Sequence, residues 1–169
     1  GGKILATLPE VSVGFSVTAL FDGLLALKRL EVEGLNATIE RGTDGEFVLG
    51  FFSDAEPATD AEFAQAIPTF LALMSKPRNP QSSFGYLDVI RFSNVDIRYQ
   101  DRANNAVWHS AGSDIELLRG ADGLEAVASM ILDFGERSTE LKAHALFSFE
   151  RPVVDIGVEF AQLIPSDVT

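Results

Sequence analysis

An alternating pattern of apolar residues runs from Leu30 to Val48 (LEVEGLNATIERGTDGEFV) and returns from Ile90 to Trp108 (IRFSNVDIRYQDRANNAVW). The offset is 60 residues (90 − 30). Leu30 aligns with Ile90, Val32 with Phe92, Leu35 with Val95, Ala37 with Ile97, Ile39 with Tyr99 and Phe47 with Val107. Polar positions align too: Asn36 with Asp96, Thr38 with Arg98, Glu40 with Gln100. A pattern that recurs at fixed spacing marks a repeated supersecondary unit. Within each copy the parity of the alternation flips once, between Val32 and Leu35 and between Phe92 and Val95. A strand that keeps one face buried must gain a residue to flip parity, through a bulge or a tight turn. Gly34 and Asn94 stand at the two breaks, and both residue types tolerate positive φ. A hairpin turn then follows, Gly42-Thr43-Asp44-Gly45 in one copy and Ala103-Asn104-Asn105 in the other.

Alternation extends well beyond the repeat. It predicts a strand over 10–19, with Val11, Val13, Phe15, Val17 and Ala19 on one face, and a second over 24–32. Strands follow over 84–92, 112–119, 124–134, 141–149 and 152–160, separated by turn signals such as Gly120-Ala121-Asp122-Gly123. One segment has a different period. Thr59-Asp60-Ala61-Glu62 has capping-box spacing, and Phe63, Ile67, Phe70, Leu71 and Met74 fall on one helix face. A helix is therefore expected over 59–75, kinked at Pro68 and packed on the apolar sheet face. The repeat units span approximately 10–58 and 84–119, with that helix between them.

The fold class expected is mainly β: an extended, curved antiparallel meander of about eleven strands forming an open groove, with one helix on its apolar face. At roughly 4.8 Å per strand such a sheet measures about 50 Å across its strands. One helix cannot cover that much apolar surface. The sheet must curl on itself or leave part of its face for something else. The residues expected to line that face are Val11, Val13, Phe15, Leu35, Ile39, Phe47, Leu49, Val95, Ile97, Tyr99, Phe147, Phe149, Ile156, Val158 and Phe160.

Composition narrows the function classes. The 169 residues carry a net charge of −12, which repels nucleic acid and anionic membrane surfaces. There is no cysteine, so disulfides, thiolate catalysis and Cys-ligated metals are out. His109 and His144 are the only histidines, and no carboxylate stands at metal-ligand spacing from either. Neither a G-x-S-x-G motif nor a Gly-rich phosphate loop occurs. No enzyme, cofactor or metal is expected. Asp44-Gly45 and Asp101 to Asn105 offer turn oxygens but too few carboxylates for a Ca²⁺ loop. Trp108 suits packing better than sugar stacking.

The chain opens Gly1-Gly2-Lys3 and ends near Ile164-Pro165-Ser166 without a closing element, so residues 1–169 read as one segment of a longer protein. The stretches LEVEGLNATIERGTDGEFVL and VIRFSNVDIRYQDRANNAVWHSAGSDIELLRGADGLEAV resemble successive units of the AsmA-like family of bacterial envelope proteins, of the YhdP and TamB type. Arg41 and Asp44-Gly45 match the R-x-x-D-G turn of the first unit, whereas Asp101 and Asn104-Asn105 depart from it in the second. The resemblance covers roughly residues 5–160. It implies a periplasmic gutter of antiparallel strands, anchored in the inner membrane through another part of the chain, that moves phospholipid toward the outer membrane. The partners implied are phospholipid acyl chains and the flanking β-groove segments of the same chain. The alternative reading is a purely structural β scaffold of an envelope-assembly protein.

Overall fold

Alternation becomes strand along most of the described residues in a computed structural model, which describes residues 10–52, 72–133, 138–151 and 153–161. The elements are β1 (Glu10–Phe15), α1 (Val17–Phe21), β2 (Leu27–Glu33), β3 (Asn36–Arg41), β4 (Phe47–Phe52), a 3₁₀ turn (Ser83–Tyr86), β5 (Val89–Asp101), β6 (Ala106–Arg119), β7 (Gly123–Asp133), β8 (Ser138–Ser148) and β9 (Val154–Phe160). The nine strands form one open sheet in the order β1-β2-β5-β6-β7-β8-β9, with β3 between β4 and β5. Among the described residues no helix is long and apolar enough to cross a membrane.

From β5 to β9 the sheet is the antiparallel meander that the short turns predict. The first third is not. β2 pairs with the first half of β5 in parallel, and β3 pairs with the second half, also in parallel. The hydrogen bonds run on across the break between β2 and β3, with Gly34 N donating to Ser93 O and Asp96 N to Leu35 O. The two strands thus act as one, laid beside the 13-residue β5. Parallel neighbours need a long crossover, and residues 53–88 supply it between β4 and β5.

The register explains the 60-residue pattern. Leu30 pairs with Ile90, Val32 with Phe92, Ala37 with Ile97 and Ile39 with Tyr99. Positions that align in the sequence are neighbours in the sheet. Two parallel strands in register must present the same residue class to the same face at every step.

The parity breaks fall where the pattern places them. Gly34 has φ 75° and Asn94 φ 53°, side by side in the paired strands. β6 answers with its own irregularity at Gly112, φ 71°. From Phe92 to Val95 β5 advances three residues while β6 advances two, Ile115 to Ser113. From Val95 to Ile97 the counts reverse, against Ser113 and Ser110. The two bulges cancel, and pairing resumes in register down to Asp101 and Ala106. Val32 and Leu35, on either side of the break, pack in one cluster with Ala37, Val95 and Ile97.

Several strand boundaries differ from the sequence reading; the strand expected over 84–92 begins at Val89, after the 3₁₀ turn, and runs on to Asp101. The strand expected over 10–19 ends at Phe15, because Ser16 caps a helical turn by accepting from Ala19 N at 3.2 Å. The strand expected over 112–119 is the second half of the 14-residue β6, since Gly112 bends the strand without ending it. The helix expected over 59–75 lies outside the described residues apart from helical residues 72–74.

A second cluster sits where the crossover returns. Met74 and Leu87 pack with Ile90, and Leu27, Leu30, Phe92, Leu117 and Leu124 surround them. Leu87 and Ile90 are fully buried, and burying a side chain of that size stabilises by about 1.5–3 kcal/mol.

Candidate functional site

The register sorts the sheet into an apolar and a polar face. One row crosses all seven strand positions as Val13, Leu30, Ile90, Leu117, Ala126, Ala145 and Ile156. The next is Val11, Val32, Phe92, Ile115, Ala128, Ala143 and Val158. Neither row contains a polar side chain. The row between them on the opposite face reads Ser12, Glu31, Arg91, Glu116, Val127, His144 and Gly157.

Burial along the apolar face is uneven. Leu35, Val95 and Ile97 are buried, and Ile39, Tyr99 and Phe147 are half-buried. Val11, Val13 and Phe15 on β1 are exposed. On β9, Val154, Ile156, Val158 and Phe160 are 42–70 % exposed. Between the core and β9 lies a block of four alanines, Ala126 and Ala128 on β7 beside Ala145 and Ala143 on β8. It is bordered by Leu124 and Phe147 toward one end of the strands and Met130 and Leu141 toward the other. Short side chains there set the face lower than Leu117 and Ile115 on one side and Ile156 and Val158 on the other. Phe149 lies just past β8 and meets Phe147 edge-on at 6.1 Å. Phe47 and Leu49 hold register positions opposite Arg41 and Ile39, and their side chains are outside the described residues. The lining residues singled out in the sequence omit most of the two central rows, including the alanines. Size rather than polarity draws attention to a side chain, although the same alternation marks all of them.

Trp108 is the register partner of Tyr99 and stacks on it, with centroids 4.8 Å apart. The turn after β5 is built by Asp101. Its carboxylate accepts from Ala103 N, Asn104 N and the Asn104 amide, and it meets the Arg41 guanidinium at 3.2 Å. Burial pushes this carboxyl up, but the donors from Asn104, Ala103 and Arg41 outweigh it and hold it below the usual carboxylate range. Its oxygens serve the hairpin.

On the polar face each histidine meets a carboxylate. His109 Nε2 lies 2.9 Å from Asp96, and His144 Nε2 lies 3.2 Å from Glu125. Ser110 and Ser113 share a hydrogen bond of 2.8 Å, but they are buried on the apolar side, and Ser110 follows His109 directly. Successive strand residues face opposite ways, so imidazole and hydroxyl do not meet. Among the described residues no three histidines or carboxylates gather in a metal-holding group. A polar-face cavity of about 320 Å³ is lined by Arg91, Ser93, Asp114, Glu116 and Ser129 among others. Arg91 is held there by Glu116 at 2.6 Å and Glu31 at 3.7 Å, and Asp114 accepts from Asn94 N.

The crossover is tied to the sheet by two arginines. Arg119, at the end of β6, is buried and donates to Phe84 O at 2.9 Å and Lys76 O at 2.6 Å. Burial and the neighbouring Arg78 cation lower its pKa, and Asp88 opposes them. Arg78 donates in turn to Arg119 O and to the Asp88 carboxylate. In the sequence Arg119 reads only as the last residue of a strand. Its partners lie 35 and 43 residues earlier, and no local signal predicts them.

Among the described residues the arrangement offers one continuous apolar surface, half-buried on β7 and β8, buried at Leu132 and Thr139, and exposed on β1 and β9. Comparisons with models of protein families, with curated proteins and with solved structures found no match to this chain.

Proposed function

We propose that this chain is a segment of a periplasmic lipid-transport protein, and that its apolar face holds phospholipid acyl chains. The supporting observation is the pair of unbroken apolar rows that end in exposed side chains on β9. A methylene chain needs no polar partner, and each methylene taken out of water contributes about 0.8 kcal/mol. The alanine block provides a lower lane beside larger side chains. The competing reading is a structural β module, and the buried cluster around Val95 and Ile97 suits it equally. The two readings part at β7 to β9.

A photo-crosslinking amino acid at Val158 or Ala143 in the full-length protein separates them. Capture of phospholipid at both positions is the expected result, with capture at Ala143 abolished by Val158→Asp without a change in melting temperature. A wild-type protein that captures no lipid there overturns the proposal and leaves the scaffold.

A further inference from the structure

All the connections on one side of the sheet gather at one end. The loop from β1 to β2, the crossover returning to β5, the turn from β6 to β7 and the turn from β8 to β9 all leave from it. The loop carrying α1 is packed inside out. Its small residues Ser16, Ala19 and Ala26 are buried, while Val17, Leu20, Phe21 and Leu25 are exposed, Phe21 at 88 %. The orientation is fixed by Ser16 N donating to Ala26 O at 2.9 Å, Leu24 N to Ala19 O at 2.8 Å and the Tyr86 hydroxyl to Asp22 at 3.0 Å. Phe84 and Val153, from two other connections, are exposed at the same end. The two described turns at the opposite end, Gly42 to Glu46 and Arg102 to Asn105, contain no large apolar residue.

Among the described residues this end is close to neutral: the connections 16–26, 72–88, 120–122 and 149–153 carry the cations Lys76, Arg78 and Arg151 and the anions Asp22, Asp88, Asp122 and Glu150, a net of −1 (3 − 4). The whole chain carries −12. Its Tyr86 and Arg78, the residue types that anchor protein interfaces, are already bound to Asp22 and Asp88. What projects is Val, Leu and Phe from separate loops, the chemistry of an interfacial membrane contact.

We propose that this end of the sheet seats in the interface of a lipid bilayer with a zwitterionic surface, led by Phe21, Leu20 and Leu25. The near-neutral rim fits such a surface, and the acidic body is repelled by an anionic one. The proposal does not rest on the acyl-chain reading of the sheet face.

Flotation of the 169-residue chain with phosphatidylcholine vesicles tests it. The chain co-floats. The double substitution Leu20→Ser with Phe21→Ser lowers the partition coefficient by about ten-fold or more, the loss expected from removing two large apolar side chains. Its melting temperature stays at the wild-type value, since both side chains are exposed. Phe21→Trp gains a blue-shifted emission on vesicle addition. Phosphatidylglycerol in the vesicles weakens binding at low salt. Absence of flotation, or a double variant that floats like the wild type, overturns the proposal. So does flotation lost in Val158→Asp instead, which assigns binding to the sheet face. A dimer in sedimentation that the double variant dissolves also overturns it and makes the rim a contact between two copies.

Discussion

Arg41 and Asp101 are 60 residues apart in the chain and are register partners in the sheet. The carboxylate gathers one cation and three turn donors, so its folded pKa lies below the ordinary value. A depressed carboxylate contributes stability that is present above its unfolded pKa, about 3.9, and is lost as pH falls through the lower folded value. Thermal melts between pH 7 and pH 2.5 should therefore show a loss in wild type that begins near pH 4 and deepens below it. Asp101→Asn lowers the melting temperature at pH 7 and flattens that acid limb. A variant whose acid limb matches the wild type would remove Asp101 from the account. The turn role of Asp101 was legible in the sequence, because Asp and Asn beside a hairpin act through local backbone groups. The burial of Arg119 was not. Its acceptors are main-chain carbonyls of Lys76 and Phe84, and a carbonyl has no residue type for a sequence to display.

The breaks in β2–β3 and β5 are the feature that the sequence wrote most openly, whereas the matching irregularity at Gly112 in β6 was read as the start of a strand. A parity flip with Gly34 or Asn94 at the break is a local signal, and the positive φ angles stand at those residues. The meaning of the 60-residue offset was less legible. Alternation states which face a residue occupies but not which strand lies beside it, so two parallel neighbours and two distant copies of a unit look alike. The run from Val11 to Ala19 shows a related limit. Its alternation continues past the end of β1, because Val17 and Ala19 keep strand parity by chance while Ser16 starts a helical turn. If the bulge row is needed for register, a β-branched residue at a positive φ there costs on the order of 1–3 kcal/mol. Gly34→Val and Asn94→Val should each lower the urea midpoint accordingly, and Asn94→Gly should leave it near the wild-type value. Equal midpoints for Asn94→Val and Asn94→Gly would show that the backbone at 94 carries no such constraint.

At the scale of the whole molecule, one apolar face runs from a closed centre to exposed margins on β1 and β9, and the same substitution should be destructive at the centre and harmless at the margin. Ile97 is 9 % exposed and packs with Val32, Leu35, Ala37 and Val95. A carboxylate placed there has no partner among those side chains. An unpaired buried charge costs several kcal/mol, a large part of the roughly 5–15 kcal/mol that separates a folded domain from its unfolded chain. Val158 is 48 % exposed on β9, which pairs only with β8 among the described strands. A carboxylate there stays in water, and a surface substitution of this kind shifts stability by about 0.5 kcal/mol or less. Ile97→Asp should therefore unfold the chain or lower its melting temperature by tens of degrees, while Val158→Asp should melt with the wild type. Circular dichroism melts of the two variants, side by side, decide the matter. If both unfold, β9 is a closed part of the core and no lane remains for a lipid. If neither does, the centre is as open as the margin, and the boundary between scaffold and lipid surface must be drawn closer to β5.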